Sequence, residues 1–500
     1  MSTILAAIYF VTFIGVALYG LNALIMSVLF LRHRQRNAEP PAATDWPAVT
    51  VQLPIFNERL VVERLIDAAA ALDYPRDRLS IQVLDDSIDE TAILARACVA
   101  RWQARGINIT YHWRADRAGC KAGALAEGMK VAPGQFLAIF DADFVPFPDF
   151  LRRVMPHFDN PRVGMVQARW GHLNAECDAL TRAQAIALDG HFIVEQTARS
   201  RSGLLLNFNG SAGVWRRECI ASAGGWQADT IAEDFDLSYR AQLAGWQLSY
   251  LPEVVAPAEV PPLLTAFKRQ QFRWAKGSIQ CLRKHGARLL RSPFSPWRKV
   301  QGLMHLSGYM VHPLMLAMVL VGLPVILISD PGNFSLSALG LAGLAPPILF
   351  ALSQWAVYPD WKRRFAYFPF LVFLGAGVAL NNSWAVFEAL TGRNARQFLR
   401  TPKFRSEGRY AGRLNHAQDY RLPVDWTTWG EAFLALYCLV EAAIATSHAP
   451  GLAPFLATYG VGYAYTAILG LRQSGWKSPP GPIFQDEGRN SKQTGHSVVN

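Results

Sequence analysis

Charged residues are scarce in this sequence. Asp, Glu, Lys and Arg make up 17% of its 500 residues, against about 25% in typical soluble domains. This shortage, together with a hydrophobic content of 51%, argues against a wholly soluble protein and points to segments inside a membrane. The six cysteines are scattered and show no CxxC spacing. That pattern argues against a structural zinc site or a disulfide framework, and it suits a reducing compartment.

The charge that is present is unbalanced, with a formal net charge of +11. One interpretation is binding to nucleic acid. The other is a set of cytoplasmic loops beside anionic lipid, or a site for a polyanionic substrate. Because so much of the sequence is apolar, the second interpretation is favoured.

The first long apolar run, residues 4–31, contains no charge and is followed at once by the basic run RHRQR. It is longer than the apolar part of a signal peptide, which spans about 7–15 residues. The pattern therefore predicts an uncleaved membrane helix within residues 1–35, with its carboxyl end in the cytoplasm.

Apolar segments return after residue 300. Further membrane-helix candidates are residues 303–328, 336–358, 366–390, 429–447 and 451–470. We group them as transmembrane or interface helices in 300–390 and transmembrane helices in 429–471. The basic loop 391–428 between these groups belongs in the cytoplasm by the positive-inside rule. Three complete spans would place it outside, so 366–390, with its polar NNSW, is predicted to be re-entrant or interfacial. The polar tail 472–500 is predicted to be disordered.

Residues 45–290 alternate between strand-like and helix-like patterns. AVTVQLPI, LSIQVLDD, INITYHW and QFLAIFD are predicted strands, and RLVVERLIDAAAAL is a predicted helix. This alternation predicts an α/β domain with a Rossmann-like, mainly parallel sheet. Ligands of such sheets bind beyond the carboxyl ends of the strands. Polar residues that follow three of the strands are expected to converge there: Asn57 and Glu58, Asp85 and Asp86, and Asp141 and Asp143.

The two carboxylates of FDADF, Asp141 and Asp143, are candidate ligands for a hard divalent cation that also takes phosphate oxygens. A solvated turn would carry the same residues. A carboxylate of VLDDS, Asp85 or Asp86, could accept hydrogen bonds from a nucleoside, or it could cap a helix. Asn57 and Glu58 carry a weaker signal, since both could also be caps.

Two further segments join a helix start to charged side chains. In RAGCKAGAL, exposed amides and Lys121 suit a diphosphate, although a tightly packed helix of small residues would look similar. In IAEDFDL, Glu233, Asp234 and Asp236 could serve only as partners of the helix dipole. A functional interpretation makes one of them the general base for a sugar hydroxyl.

The helix predicted from AFKRQQFRWAKG carries Gln270, Arg273 and Trp274 at positions i, i+3 and i+4, on one face. A guanidinium binds phosphate, an indole stacks on a sugar ring, and an amide binds hydroxyls. Such a face suits the junction between a nucleotide-sugar donor and a glycosyl acceptor. The alternative is a basic amphipathic helix that lies on the membrane surface.

Together these motifs resemble those of the processive family 2 glycosyltransferases of the cellulose-synthase superfamily. LDDS, FDADF, IAEDFD and QQFRW stand in the order of that family at comparable spacings. VQARW, FNGSAGVWRR and AGGW are similar to the cellulose-synthase-like mannan and glucomannan synthases and their bacterial relatives. FLRTPK at 398–403 resembles a gating-loop segment of bacterial cellulose synthase. The sequence departs from the family at Ala232, where the family has threonine, and at Arg400, where it has valine. No cyclic-dinucleotide-binding domain is visible.

The resemblance implies an α/β cytosolic domain of the GT-A type and an α-helical transmembrane region. It implies a membrane-embedded, inverting hexosyltransferase that extends a β-glycan from UDP-glucose or GDP-mannose with Mg²⁺ or Mn²⁺. Asp234 with Glu233 would be catalytic, and Asp141 and Asp143 would hold the metal. The candidate nucleotide-sugar and acceptor ligands are Asn57, Glu58, Asp85, Asp86, Lys121, Gln270, Arg273 and Trp274.

The expected partners are the nucleotide sugar, a glycan acceptor and membrane lipid, with no nucleic acid. An oligomer or accessory export proteins are compatible with the sequence. The expected location is the inner (plasma) membrane, with the catalytic domain facing the cytoplasm. Two alternatives stay open: a glycosyltransferase that adds one sugar to a lipid, and a membrane-anchored basic binding protein without activity.

Overall fold

The computed structural model describes residues 2–35, 46–328, 341–393, 401, 403 and 424–474. Three regions that carry sequence predictions therefore lie wholly or largely outside the described residues. They are the start of the 336–358 segment, most of the loop 391–428, and the tail from residue 475 onward.

A seven-stranded sheet forms the centre of the first half of the described chain. Its strands are β1 Val49–Ile55, β2 Leu79–Asp85, β3 Ile109–Trp113, β4 Phe136–Ile139, β5 Val163–His172, β6 Gly213–Arg216 and β7 Gln247–Ala258. Their order across the sheet is β3-β2-β1-β4-β6-β5-β7. Only β6 runs antiparallel to its neighbours. The prediction of a mainly parallel α/β sheet is confirmed.

Helices cover both faces of this sheet, so its strands are almost continuously buried, as expected for parallel strands. The polar residues within β1 and β2 bind one another. Gln52 donates to Gln82 over 3.0 Å, and the hydroxyls of Thr50 and Ser80 lie 2.8 Å apart. Such pairing lowers the cost of burying these polar groups.

The helices of this half are α2 Val62–Ala70, α3 Thr91–Gln103, α4 Cys120–Val131, α5 Phe150–Val154, α6 Ala179–Asp189, α7 Thr197–Arg201, α8 Arg217–Ser222, α9 Glu233–Leu243 and α10 Leu264–Arg291. They follow α1, Ser2–His33. A π-helical turn, Gly190–Gln196, joins α6 to α7.

The second half of the chain is helical throughout its described residues. Its helices are α11 Pro296–Leu306, α12 Val311–Ile328, α13 Ala345–Val357, α14 Trp361–Phe365, α15 Phe368–Gly377, α16 Ala379–Thr391, α17 Trp426–His448 and α18 Ala453–Gln473.

Three helical segments are long and apolar enough to cross a membrane, among the described residues: Ile4–His33, Gly308–Ile328 and Trp426–His448. Helix α18 is long enough but less apolar, and it is not one of these three. The pair Trp361–Gly377 and Ala379–Thr391 meets at a bend of 42°. Both a broken span and a re-entrant loop have this form, so the re-entrant assignment of 366–390 stays a prediction.

Several polar contacts join the sheet domain to the apolar helices. The Arg201 guanidinium donates to the backbone carbonyl of His33, at the end of α1, over 3.3 Å. Helix α10 packs along α16 and carries two buried lysines. Lys276 pairs with Glu388 over 2.7 Å and Lys268 with Glu431 over 2.8 Å. The helix of the QQFRW motif is therefore buried between the two halves and does not lie free on a surface.

Candidate active site

A cleft of about 210 Å³ opens at the edge of the sheet where the parallel strands end. Ten of the twelve predicted site residues line it: Glu58, Asp86, Lys121, Asp141, Asp143, Glu233, Asp234, Gln270, Arg273 and Trp274. They come from six places along the chain, and the sheet order brings them together. The other two, Asn57 and Asp85, do not line the cleft.

Asn57 and Asp85 bind the chain itself. Asn57 adopts a positive φ of 54°, and its side-chain oxygen accepts from the amide of Ile88. Asp85 is fully buried and accepts from the Tyr111 hydroxyl over 2.7 Å and from the amide of Ser87. Their contacts shape the ends of β1 and β2 around the cleft.

Asp86 marks one end of the cleft. Both of its oxygens accept from Arg114, over 2.7 and 2.6 Å, in a bidentate ion pair. The pair fixes the plane of the carboxylate. Beside it, the Arg117 guanidinium lies over the ring of Phe56 at 3.5 Å. This end offers carboxylate acceptors and a flat cationic and aromatic surface, which suit a nucleobase.

Asp141 and Asp143 follow β4, and each pairs with a lysine. Lys121 lies 2.5 Å from Asp141 Oδ1, and Lys403 lies 2.6 Å from Asp143 Oδ2. Asp143 Oδ1 is buried and has no hydrogen-bond partner among the described residues. The described residues contain no cluster of three or more His, Cys, Asp or Glu that would hold a metal by itself. Two carboxylates completed by substrate phosphates are an ordinary Mg²⁺ arrangement, so these residues fit a divalent cation that arrives with a diphosphate.

Glu233 and Asp234 begin α9 and face the same lysine. Lys121 donates to the carbonyl of Gly210 over 2.8 Å and lies 3.9 Å from Glu233. Burial lowers the pKa of Lys121, but the carboxylates of Asp141 and Glu233 outweigh it and raise the pKa overall. Lys121 therefore stays charged at the centre of the site.

Asp234 and Asp236 both lie on α9, but their surroundings shift their pKa values in opposite directions. Burial, and then the charge of Glu233, raise the pKa of Asp234 to about 7. For Asp236, burial acts in the same direction, but hydrogen bonds from His285, Lys284 and Arg240 hold the pKa at about 2. A carboxylate with a pKa near neutral is suited to accept a proton, whereas Asp236 is a structural anion.

Helix α10 packs against the residues that precede Glu233 and Asp234, and it also forms one wall of the cleft. Gln280 accepts from the amide of Ile231 over 2.9 Å. Gly277 allows close packing, because a Cβ there would lie 2.5 Å from the Cβ of Ala232. About one and two turns earlier, Trp274 and Gln270 face the cleft. Arg273 also faces it and donates to the hydroxyl of Thr401 over 2.7 Å.

The sequence reasoning did not identify several residues of the cleft as site residues, among them Arg117, Trp170, His172, Asn209, Glu259 and Lys403. Some belong to motifs quoted for the family resemblance: Trp170 in VQARW, Asn209 in FNGSAG and Lys403 in FLRTPK. His172 is the last residue of β5 and Glu259 follows β7, so the strand-end rule would have found them had these two strands been predicted.

Residues 47–277 match the family described as "Glycosyltransferase like family 2". The chain is 45% identical over 268 residues to glucomannan 4-beta-mannosyltransferase 2 of Arabidopsis thaliana, covering 52% of this chain and 50% of the relative. It is 45% identical over 261 residues to glucomannan 4-beta-mannosyltransferase 1 of Oryza sativa subsp. japonica, covering 51% and 50%. The chain thus spans about half the length of the curated relatives it matches.

Among solved structures, the mannosyltransferase PcManGT from Pyrobaculum calidifontis, in complex with GDP-Man and Mn²⁺, superposes with a TM-score of 0.53. The match covers 78% of this chain and 100% of that one, at 22% identity. At this level of identity the likeness concerns the fold alone. These comparisons confirm the resemblance inferred from the motifs, together with the predicted GT-A type of fold.

Proposed function

We propose that the protein, whose residues 47–277 match the family described as "Glycosyltransferase like family 2", is a membrane-embedded, inverting synthase of a β-linked glycan. The observation that carries the proposal is the order of groups along one cleft. Phe56 and Asp86, the proposed contacts of the nucleobase, follow β1 and β2, and the paired aspartates follow β4. A carboxylate with a raised pKa lies beside an amide, a guanidinium and an indole from α10.

The donor we propose is GDP-mannose, with UDP-glucose as the alternative. The relatives are named as glucomannan mannosyltransferases and the structural neighbour holds GDP-Man. Guanine presents two adjacent N–H donors, and the carboxylate of Asp86 has acceptor capacity beyond its bonds to Arg114. Arg117 over Phe56 provides a flat surface for the base.

In the proposed reaction, Asp141 and Asp143 would hold a divalent cation together with the diphosphate of the donor. The cation would offset the negative charge of the leaving diphosphate. Lys121, whose charge is maintained by Asp141 and Glu233, would add a fixed positive charge beside the diphosphate. Arg273 is placed to bind phosphate from the opposite wall.

Asp234 is proposed as the general base. It would accept the proton of the acceptor hydroxyl as the hydroxyl oxygen attacks the anomeric carbon, while the bond to the diphosphate breaks on the other side. A single displacement of this kind converts an α-linked donor into a β-linked product. Trp274 and Gln270 would hold the acceptor sugar by stacking and by a hydrogen bond.

The catalytic domain is proposed to face the cytoplasm, and the membrane to be the plasma membrane. The basic end of α1, Arg32 to Arg34, lies against this domain through the contact of Arg201 with His33. Basic residues mark the cytoplasmic end of a membrane helix. A cysteine placed at Ser406, in the basic loop outside the described residues, should resist an impermeant reagent added to intact cells. Labelling from outside would refute this orientation.

Product analysis tests the proposed activity. Membranes from cells that express the protein would be offered a panel of radiolabelled nucleotide sugars, and the product would be sized and digested with β-mannanase or β-glucanase. We expect a polymer made from GDP-mannose that β-mannanase degrades, with Asp234→Asn as the inactive control. A lipid that carries a single added sugar would instead identify the protein as a glycolipid glycosyltransferase and reject polymer synthesis. No incorporation from any donor would reject the proposal.

A further inference from the structure

His172 lies at the end of β5, in the wall of the cleft, and has no part in the chemistry proposed above. Its Nε2 lies 3.0 Å from Oδ1 of Asp189, the last residue of α6. Asp189 is only 1% exposed. A histidine in the cleft is therefore backed by a carboxylate that solvent does not reach.

Asp189 is in turn held by the helical half of the chain. The side-chain amide of Gln354, on α13, donates to Asp189 Oδ2 over 3.0 Å. The hydroxyl of Tyr358, just after α13, lies 3.4 Å from Oδ1. The carboxylate thus has donors on both oxygens, and its position is fixed by two elements from different halves of the fold.

This arrangement selects one state of the imidazole. An ionised carboxylate only accepts hydrogen bonds, so Nε2 must carry the proton that it donates to Asp189. In the neutral ring, Nδ1 is then left with a lone pair. Nδ1 has no hydrogen-bond partner among the described residues, and it is not among their buried unsatisfied atoms. The cleft wall therefore presents one oriented hydrogen-bond acceptor.

The position of His172 along the cleft indicates what would bind there. Strand β5 lies three strands from β1 in the sheet order, which is about 14 Å at the usual strand spacing. The nucleobase end lies at β1, and the aspartates that follow β4 stand between the two. In the sheet register His172 is paired with Ala258, at the end of β7, and the chain then leads through Pro261 into the helix of Gln270 and Trp274. His172 therefore lies beyond the diphosphate, on the side of the acceptor.

We propose that Nδ1 of His172 accepts a hydrogen bond from a hydroxyl of the acceptor hexose. Asp189 is a positioning residue that holds Nε2 as the donor, so that in the neutral ring Nδ1 is the acceptor turned toward the cleft. The inference rests on the proposed glycan synthase function and adds to it a side chain that selects the acceptor. A structural alternative exists, in which the His172–Asp189 pair only ties β5 to α6 and α13.

The test uses the purified full-length protein, GDP-mannose and a short β-1,4-manno-oligosaccharide as acceptor. His172→Phe keeps a flat ring and removes the acceptor nitrogen. We expect the KM for the oligosaccharide to rise roughly five- to tenfold, the scale of one hydrogen bond, while hydrolysis of the donor without acceptor stays within about twofold of wild type. His172→Gln, whose amide oxygen is an acceptor, should recover part of the affinity.

Two variants of the supporting residues separate positioning from packing. Asp189→Asn can donate its amide to Nε2, which would move the ring proton to Nδ1 and turn the acceptor into a donor. Its KM should therefore rise as in His172→Phe. Tyr358→Phe is the matched control, because it removes only the longer contact and leaves the His172–Asp189 bond in place. Its KM should stay close to the wild-type value.

An unchanged oligosaccharide KM in His172→Phe would overturn the proposal. The proposal would also be overturned if His172→Phe lowered donor hydrolysis, transfer and thermal stability together and His172→Gln restored none of them. That pattern would mean that His172 only holds the fold together. Calorimetric titration of the oligosaccharide into the same variants measures its binding without turnover. If wild type makes no polymer, the synthase proposal fails while the titration still decides whether His172 binds the sugar.

Discussion

Replacing Asp234 with asparagine should slow the reaction and, at the same time, stabilise the fold above neutral pH. Burial and the neighbouring Glu233 raise the pKa of Asp234 from 3.8 to about 7. The difference corresponds to roughly 4 kcal/mol of unfavourable free energy once the carboxyl is ionised. Asparagine has nearly the same shape and carries no charge, so it removes this cost together with the proton acceptor.

The sign of the pH dependence follows from the raised pKa. In the unfolded chain the carboxyl ionises near pH 4, whereas in the folded protein it stays protonated up to about pH 7. The stabilising contribution is therefore complete below pH 4 and is lost as the pH rises to about 7. We expect Asp234→Asn to exceed wild type in stability at pH 8, by up to about 4 kcal/mol, and to differ little from it near pH 4.

Activity and stability are both measurable on the solubilised full chain. In wild type, kcat/KM should rise with pH through about 7, because the free base must be ionised. Turnover of Asp234→Asn should fall by a factor of 10² to 10⁴, the usual scale for a lost general base. Thermal inactivation half-lives at pH 4.5 and pH 8 give the stability comparison.

Glu233→Gln provides the matched control. It removes the neighbouring negative charge, so the pKa of Asp234 should fall and the acidic limb of the rate profile should move to lower pH. The assignment of Asp234 as the base would be refuted by an Asp234→Asn variant that retains turnover but loses donor affinity. The assignment would also be refuted if the acidic limb of the kcat/KM profile lay at the same pH in Glu233→Gln as in wild type.

Asp143→Ala should abolish the metal-stimulated part of donor binding, because the carboxylate with a buried, unpartnered oxygen is lost. Titration of the nucleotide sugar with and without Mn²⁺ measures this, and an undiminished metal effect would exclude the site. Trp274→Ala should lower transfer to acceptor more than donor hydrolysis, by about 1–3 kcal/mol on the scale of base stacking, with partial recovery in Trp274→Phe; equal specific activity in Trp274→Ala and wild type would mean that the indole does not hold the acceptor. Lys276→Met should destabilise the protein by about 3–5 kcal/mol, because the buried carboxylate of Glu388 loses its ion pair with Lys276. The double variant Lys276→Met/Glu388→Gln should recover most of this loss in inactivation half-life, and equal losses in both would contradict the reasoning.

Much of the site could be predicted because strand ends are visible in the sequence. Apolar runs that stop at a polar residue located the ends of β1, β2 and β4, and parallel pairing brings these ends to one edge. The distinction between Asp85 and Asp86 was also accessible in principle. Successive residues of a strand point to opposite faces, so only one of the two can face a ligand while the other is buried, as Asp85 is.

Other features depend on contacts between distant parts of the chain. Nothing local indicates that Lys403 lies 2.6 Å from Asp143, 260 positions earlier. Arg114 follows β3 and is locally an ordinary loop arginine, yet it fixes the plane of Asp86. His172 has no neighbouring acidic residue in sequence, and its partners lie on α6 and after α13. Such pairs become visible only when the elements are packed together.

Helix α10 explains why the cleft and the apolar helices form one functional unit. The helix carries Gln270, Arg273 and Trp274 on the face toward the cleft. Its other contacts include two almost fully buried lysines whose carboxylate partners belong to α16 and α17. Breaking a buried ion pair by removing one partner strongly destabilises the fold. The two pairs therefore fix the position of α10 along its axis relative to the helical half of the chain. The same helix packs through Gly277 against Ala232, next to Glu233 and Asp234. The position of the proposed base relative to the sugar is therefore set jointly by the sheet and by the apolar helices, and the His172–Asp189–Gln354 contacts join a second part of the cleft wall to the apolar helices.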